Sequence, residues 1–259
     1  MPPAIKEIEL AMSDFNNGYA RPVPQSADMS ADSGLRAFML GVYNKLALGL
    51  VLAGALAYVT GNVPAVTSLL WVQTSTGYGI TMPGMIIQFL PLVLLFGSMF
   101  FMKNPTAGGV NLLYWAVVGS IGASLGFVFL RYTGSSVAST FFVTAAAFGA
   151  LSLFGYTTKK NLTGWGSFLI MGVIGLIIAM VVNMFLQSGL MALIISAIGV
   201  LIFSGLIAYD TQRLKMTYYA LGGNQAAMGV ATGFGALSLF INFINLFQFL
   251  LMFMGGNRD

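Results

Sequence analysis

The chain has 259 residues, of which 58% are hydrophobic and 7% charged, with a formal net charge of +4 and neither Cys nor His. A soluble domain carries about 25% charged residues, so this composition excludes one and points to a bilayer protein. The missing Cys and His exclude disulfides, thiolate nucleophiles and the commonest zinc and haem ligands. The basic residues stand singly or in pairs between apolar runs, which is an orientation signal in a membrane and not a nucleic-acid patch.

Residues 1–35 are polar, hold several prolines and carry Glu7, Glu9, Asp14, Asp28 and Asp32. They read as a disordered polar cytoplasmic tail. No charged segment leads there into a short apolar one, so the start is not a cleaved signal peptide. Residues 36–259 read as one membrane domain. Seven apolar runs of spanning length follow the tail, at roughly 37–61, 84–102, 108–130, 137–156, 165–187, 190–209 and 233–254. Pro91 is a kink candidate in the second run. Val63 to Pro83 reads as a loop near the interface, with Trp71 and Tyr78 suited to headgroup depth. The fifth and sixth runs are joined only by Gln187-Ser188-Gly189 and form a tight hairpin. Gly119, Gly122 and Gly126 in the third run, and Gly172 and Gly175 in the fifth, mark close helix contacts; Gly122 and Gly126 make a GxxxG match.

A cytoplasmic N-terminus places Arg36, Lys103, Lys159, Lys160, Arg213 and Lys215 inside. It leaves only Arg131 and Arg258 outside. The expectation is therefore an all-α protein of seven transmembrane helices, N-terminus cytoplasmic and C-terminus outside.

Between Asp32 and Asp259 the only acidic residue is Asp210, in Ile207-Ala-Tyr-Asp210-Thr-Gln-Arg213-Leu-Lys215 at the end of the sixth run. Two readings stay open. One is a solvated acid at a helix end, paired with Arg213 at i+3. The other is a buried acid facing the bundle that binds a cation or a proton. Depth along the spans puts Lys45, Asn242 and Asn245 near the same level. Lys45 can instead snorkel to the interface. Asn242 and Asn245, three apart and on one face, can be helix–helix glue. No enzyme is expected: a serine hydrolase lacks its base, an aspartyl protease its second acid, and a metalloprotease its ligands. No resident cofactor is expected either.

Three segments in order resemble the Bax inhibitor-1 family, in its bacterial branch. They are Gly149-Ala-Leu-Ser-Leu-Phe-Gly-Tyr156-Thr-Thr-Lys159, Ala208-Tyr-Asp210-Thr-Gln-Arg213-Leu-Lys215 and Ala236-Leu-Ser-Leu-Phe-Ile-Asn242-Phe-Ile-Asn245-Leu-Phe247. The likeness covers residues 36–258. It implies a seven-helix fold with the last helix central, in the inner (plasma) membrane of a bacterium, and a calcium leak modulated by pH. The family's proton sensor is a pair of aspartates. Asp210 matches the first, and Asn242 stands at the second. The family's Arg near the cytoplasmic end of the second helix aligns with Phe100, and Lys103 is the nearest cation. The loss of one acid together with one base leaves the formal charge of the site unchanged, as a desolvated cluster requires. Two close carboxylates titrate as a pair, whereas an acid beside an amide takes up one proton in one step. Asp210 is then the one metal-ligand candidate, for a weakly held calcium ion. The expected partners are the lipid bilayer, calcium ions and protons. The alternative is a non-transporting modulator of other membrane proteins, such as a quality-control protease in stress.

Overall fold

The computed structural model describes residues 32–75 and 77–256. The tail reading for residues 1–31, and the placement of Arg258, lie outside the described residues. The fold is built from helices in an antiparallel bundle: α1 (Ser33–Asn62), α2 (Pro64–Leu70), α3 (Met82–Phe101), α4 (Ala107–Ser124), α5 (Gly126–Arg131), α6 (Gly134–Thr157), α7 (Thr163–Leu186), α8 (Gly189–Ala220) and α9 (Gln225–Met254). Among the described residues, seven spans are long and apolar enough to cross a membrane, with α4 and α5 together forming one.

The local chemistry explains where helices start. Asp32, Thr81, Thr106, Thr133, Ser188 and Asn224 each accept a first-turn backbone N–H with the side chain. Short polar side chains satisfy donors that have no partner inside the helix. Asp32 does more. Its Oδ1 accepts from Leu35 N at 2.9 Å and from the Tyr218 hydroxyl at 3.2 Å, so it caps α1 and ties it to the end of α8. The first helix thus begins at Ser33, inside the segment read as tail. The bond from Leu35 holds the Asp32 carboxyl below its ordinary value of 3.8 against the opposing effect of burial, and the Tyr218 hydroxyl adds to the lowering. A carboxyl lowered in the fold stabilises above its ordinary value, and that contribution is lost as pH falls through the folded value. Asp32→Ala is expected to cost about 1 kcal/mol. Amide exchange in the first turn of α1 should rise in the variant at neutral pH and match wild type at strongly acidic pH.

The stretch from Val63 to Pro83 is not a plain loop. It folds into α2 and a hairpin of β1 (Trp71–Thr74) and β2 (Gly77–Ile80), with Trp71 opposite Ile80. Trp71 is buried against Phe127, ring centroids 5.3 Å apart, and does not face headgroups. Tyr78 is exposed. The third span breaks at Leu125, between α4 and α5. Pro91 sits within a continuous α3.

The last helix is central. α9 packs against α8, α1, α4 and α6. Phe240, Leu239, Leu246 and Ala236 on it are fully buried. By contrast α3 packs chiefly on α4, and α7 on α8. Both turn large apolar side chains outward, among them Phe89, Phe96, Phe101, Phe168 and Phe185. That outward surface needs hydrocarbon around it.

Small residues set the closest helix approaches. A methyl group on Gly122 would lie 2.6 Å from Ala53 Cα on α1, and one on Gly126 would lie 2.8 Å from Thr60 Cβ. Gly172 meets Ile202 of α8, but Gly119 and Gly175 face open space. Gly122→Val is expected to lose about 1–3 kcal/mol through overpacking, read as reduced thermal stability in detergent, while Gly119→Val stays near wild type.

Candidate functional site

The sixth span runs on past the point where its hydropathy fades, and the seventh begins before its apolar run. α8 runs through Asp210 to Ala220, and α9 begins at Gln225. Asp210 therefore lies inside α8, roughly 15 Å short of its end at 1.5 Å per residue, and does not close the span. Polar side chains in this stretch would not stay on a helix facing lipid. They stay because almost every one docks on protein.

The docking runs residue by residue. Tyr209 packs its ring on Gly166 of α7. The Thr211 hydroxyl, fully buried, donates to Ser152 Oγ of α6 at 3.4 Å. Gln212 spans the α6–α7 turn, accepting from Leu162 N and donating to the Lys160 carbonyl, each at 2.8 Å. Lys215 donates to the Tyr156 carbonyl at 3.2 Å, and its ammonium lies 4.8 Å from the Tyr156 ring centroid. This side of the motif holds α8 against α6, α7 and their turn.

Asp210 points the other way, into the contact between α8 and α9, and only 4% of it is exposed. Its Oδ2 accepts from the Ser238 hydroxyl and from Asn242 Nδ2, the latter at 2.8 Å. Its Oδ1 accepts from Arg213 Nη2 at 2.9 Å. Arg213 is 46% exposed, and its guanidinium also lies 5.6 Å from the Tyr209 ring centroid. The pairing with Arg213 at i+3 holds, but the acid is neither solvated nor at a helix end: it is buried and faces the bundle. The pair makes the site neutral, so the buried charge is compensated on its own helix.

The structure brings Asp210, Asn242 and Arg213 together and separates the others. Asn245 donates to the Ile241 carbonyl of its own helix at 2.8 Å. Lys45 lies on α1 with its ammonium 5.2 Å from the Tyr114 ring centroid, and its carbonyl accepts from the Tyr114 hydroxyl at 2.6 Å. Lys103 is exposed at the end of α3, and so is Phe100. Among the described residues, the cation bonded to Asp210 is therefore Arg213. Ser238 was not singled out from the sequence. Its signal was its spacing, four residues before Asn242 and on the same face of α9. Among the described residues no three acidic side chains gather into a metal site.

A bundle of seven apolar spans, with one buried acid clamped between the central helix and its neighbour, defines a polytopic integral membrane protein built around a compensated internal charge. The chain belongs to the Bax inhibitor-1 family. The family model described as "Inhibitor of apoptosis-promoting Bax1" matches residues 35–259. An uncharacterised protein of Caulobacter vibrioides is 66% identical over 96% of this chain and 100% of its own length. An uncharacterised protein of Rickettsia prowazekii is 43% identical over 90% of this chain and 95% of its own. The inner membrane protein YbhL of Escherichia coli is 37% identical over 87% of this chain and 94% of its own. With the seven apolar spans, these relatives identify an integral inner-membrane protein.

Proposed function

We propose that the protein is a pH-gated cation leak pathway, with calcium as the leading ion, and that Asp210 with Arg213 forms its gate near the cytoplasmic mouth. The observation that carries this reading is a buried carboxylate whose counter-charge, Arg213, is 46% exposed. Ionisable groups inside a membrane are expensive and mark ion or proton paths. In the ionised state Asp210 binds Arg213 and two donors from α9, and the mouth is shut. A proton on Asp210 removes the attraction, and the guanidinium leaves for water. Asn242 stays bonded in both states, because its amide can donate to the carboxylate or, turned over, accept from the acid.

Calcium takes about six to eight oxygens. Asp210, Ser238 and Asn242 supply fewer, so the ion is held weakly, as conduction requires. Asn245 lies one turn beyond Asn242 on the same face of α9 and continues the polar line into the membrane. The orientation proposed is N-terminus inside, with Lys103, Lys159, Lys160 and Arg213 on the cytoplasmic side and Arg131 opposite.

One observation favours a second reading. Every Asp210 contact is already made by protein donors, as in a structural clamp. A modulator of a membrane protease would need no open path. The test is calcium entry into proteoliposomes holding the purified protein alone, against lipid-only vesicles. Entry that rises on acidification supports the leak. No entry at any pH, together with co-purification of a protease, overturns it in favour of the modulator.

A further inference from the structure

On the far side of the bundle from Lys159 and Lys160, α1, α5, α6 and α9 enclose a cavity of about 350 Å3. Its size falls within the range of pockets that hold small molecules, roughly 300–1,000 Å3. Every residue lining it is apolar, including Phe129 of α5, Phe142 of α6 and Phe247 of α9. Such a void does not hold ordered water, which needs polar partners. It is not sealed. Val51 of α1 and Phe142 of α6 line it, and each is 72% exposed, so it opens sideways between α1 and α6. What surrounds that opening in a membrane is hydrocarbon.

The end of the groove carries a charge. Gly134, the first residue of α6, lines it, and Arg131 closes α5 three residues before. Arg131 is exposed, lies over its neighbour Tyr132 with 5.8 Å to the ring centroid, and has no carboxylate partner among the described residues. The lining on α6 reaches from Gly134 to Phe142, about 12 Å of helix at 1.5 Å per residue. A chain that entered at the level of Arg131 would therefore lie along the groove toward the bilayer centre. We infer that this groove is a binding site for an anionic glycerophospholipid, with one acyl chain between α1 and α6 and the phosphate at Arg131. The apolar walls supply contact for the chain, and the exposed guanidinium selects the headgroup by charge.

The groove can be filled from either wall. A side chain on Gly54 of α1 meets nothing within 4 Å, and Ala138 of α6 is exposed on the opposite side. The test is native mass spectrometry of the full-length protein, extracted from bilayers of equal phosphatidylglycerol and phosphatidylcholine. Wild type is expected to retain one phosphatidylglycerol in about fivefold preference, the worth of one basic side chain at an anionic surface. Gly54→Phe and Ala138→Phe should each lose the retained lipid while keeping the wild-type melting temperature. If one of them does not fold, the other carries the same test. Arg131→Gln should keep a lipid but bind the two headgroups equally. Retention unchanged in the folded groove variants, or an unchanged preference in Arg131→Gln, overturns the site. A wild-type dimer without lipid that both groove variants abolish overturns it in favour of a second copy of the chain.

Discussion

Asn242→Asp is expected to destabilise the protein at neutral pH by about 3–5 kcal/mol, the scale of an uncompensated buried charge. In the wild type the Asn242 amide donates to Asp210 Oδ2 at 2.8 Å. A carboxylate there replaces attraction with repulsion, and Arg213 is the one cation bonded to the site among the described residues. The variant escapes by keeping a proton between the two acids, which restores the lost bond. The sign of the pH effect follows. Two adjacent carboxylates in the folded variant share a proton that its unfolded chain, with no such pair, does not hold at neutral pH. Stability therefore falls as pH rises through the folded value and is regained on acidification. Thermal unfolding in detergent between about pH 5 and pH 8 should show a gap to wild type that widens with pH. The pH response of cation entry should steepen, because the pair titrates in coupled steps. Equal stability at every pH would contradict the pairing of these two positions.

Arg213→Gln is expected to raise cation entry at neutral pH toward the level wild type reaches in acid. The guanidinium holds Asp210 Oδ1 at 2.9 Å and reaches Ser238 Oγ at 3.5 Å, so it braces the contact between α8 and α9 from its open side. Removing it leaves an ionised acid at an unblocked mouth. The loss of stability should be modest, about 1–3 kcal/mol, because an exposed pair is worth little and a fully buried one several times more, and this pair lies between. Calcium entry and melting temperature measured on one preparation separate the two effects. A variant as tight as wild type at neutral pH, with unchanged melting, would show that Arg213 is no plug.

Much of this site was legible in the sequence, and for a definite reason. A chain with one acid across its whole membrane part leaves no choice of where the compensated charge sits, and Arg213 three residues on is within reach on the same helix face. Depth along the spans put Asn242 near the level of Asp210, but only the family resemblance paired the two, since an isolated amide in a span reads equally well as helix glue. The level of Lys45 was estimated from its depth along α1, but depth does not fix azimuth. Its side chain turns to Tyr114, on α4, and not to α8.

The end of α8 was misplaced because hydropathy reports contact with lipid, and Asp210 to Lys215 are held by protein. Thr211, Gln212 and Lys215 bond to α6 and its turn, so a polar stretch stays helical past the apolar run. Trp71 misled for the converse reason. Its amphipathic ring suits an interface, yet Phe127 buries it.

Proton uptake by Asp210 is the proposed control of the cation path. Its most direct test is calcium entry into proteoliposomes across a pH series, wild type against Asp210→Asn. The amide keeps the size of the side chain and can still bond to Ser238 and Asn242, but it cannot titrate or hold Arg213 by charge. Wild type should admit more calcium as pH falls, and Asp210→Asn should give a pH-independent rate. The same rates and the same pH response in both proteins would contradict the account.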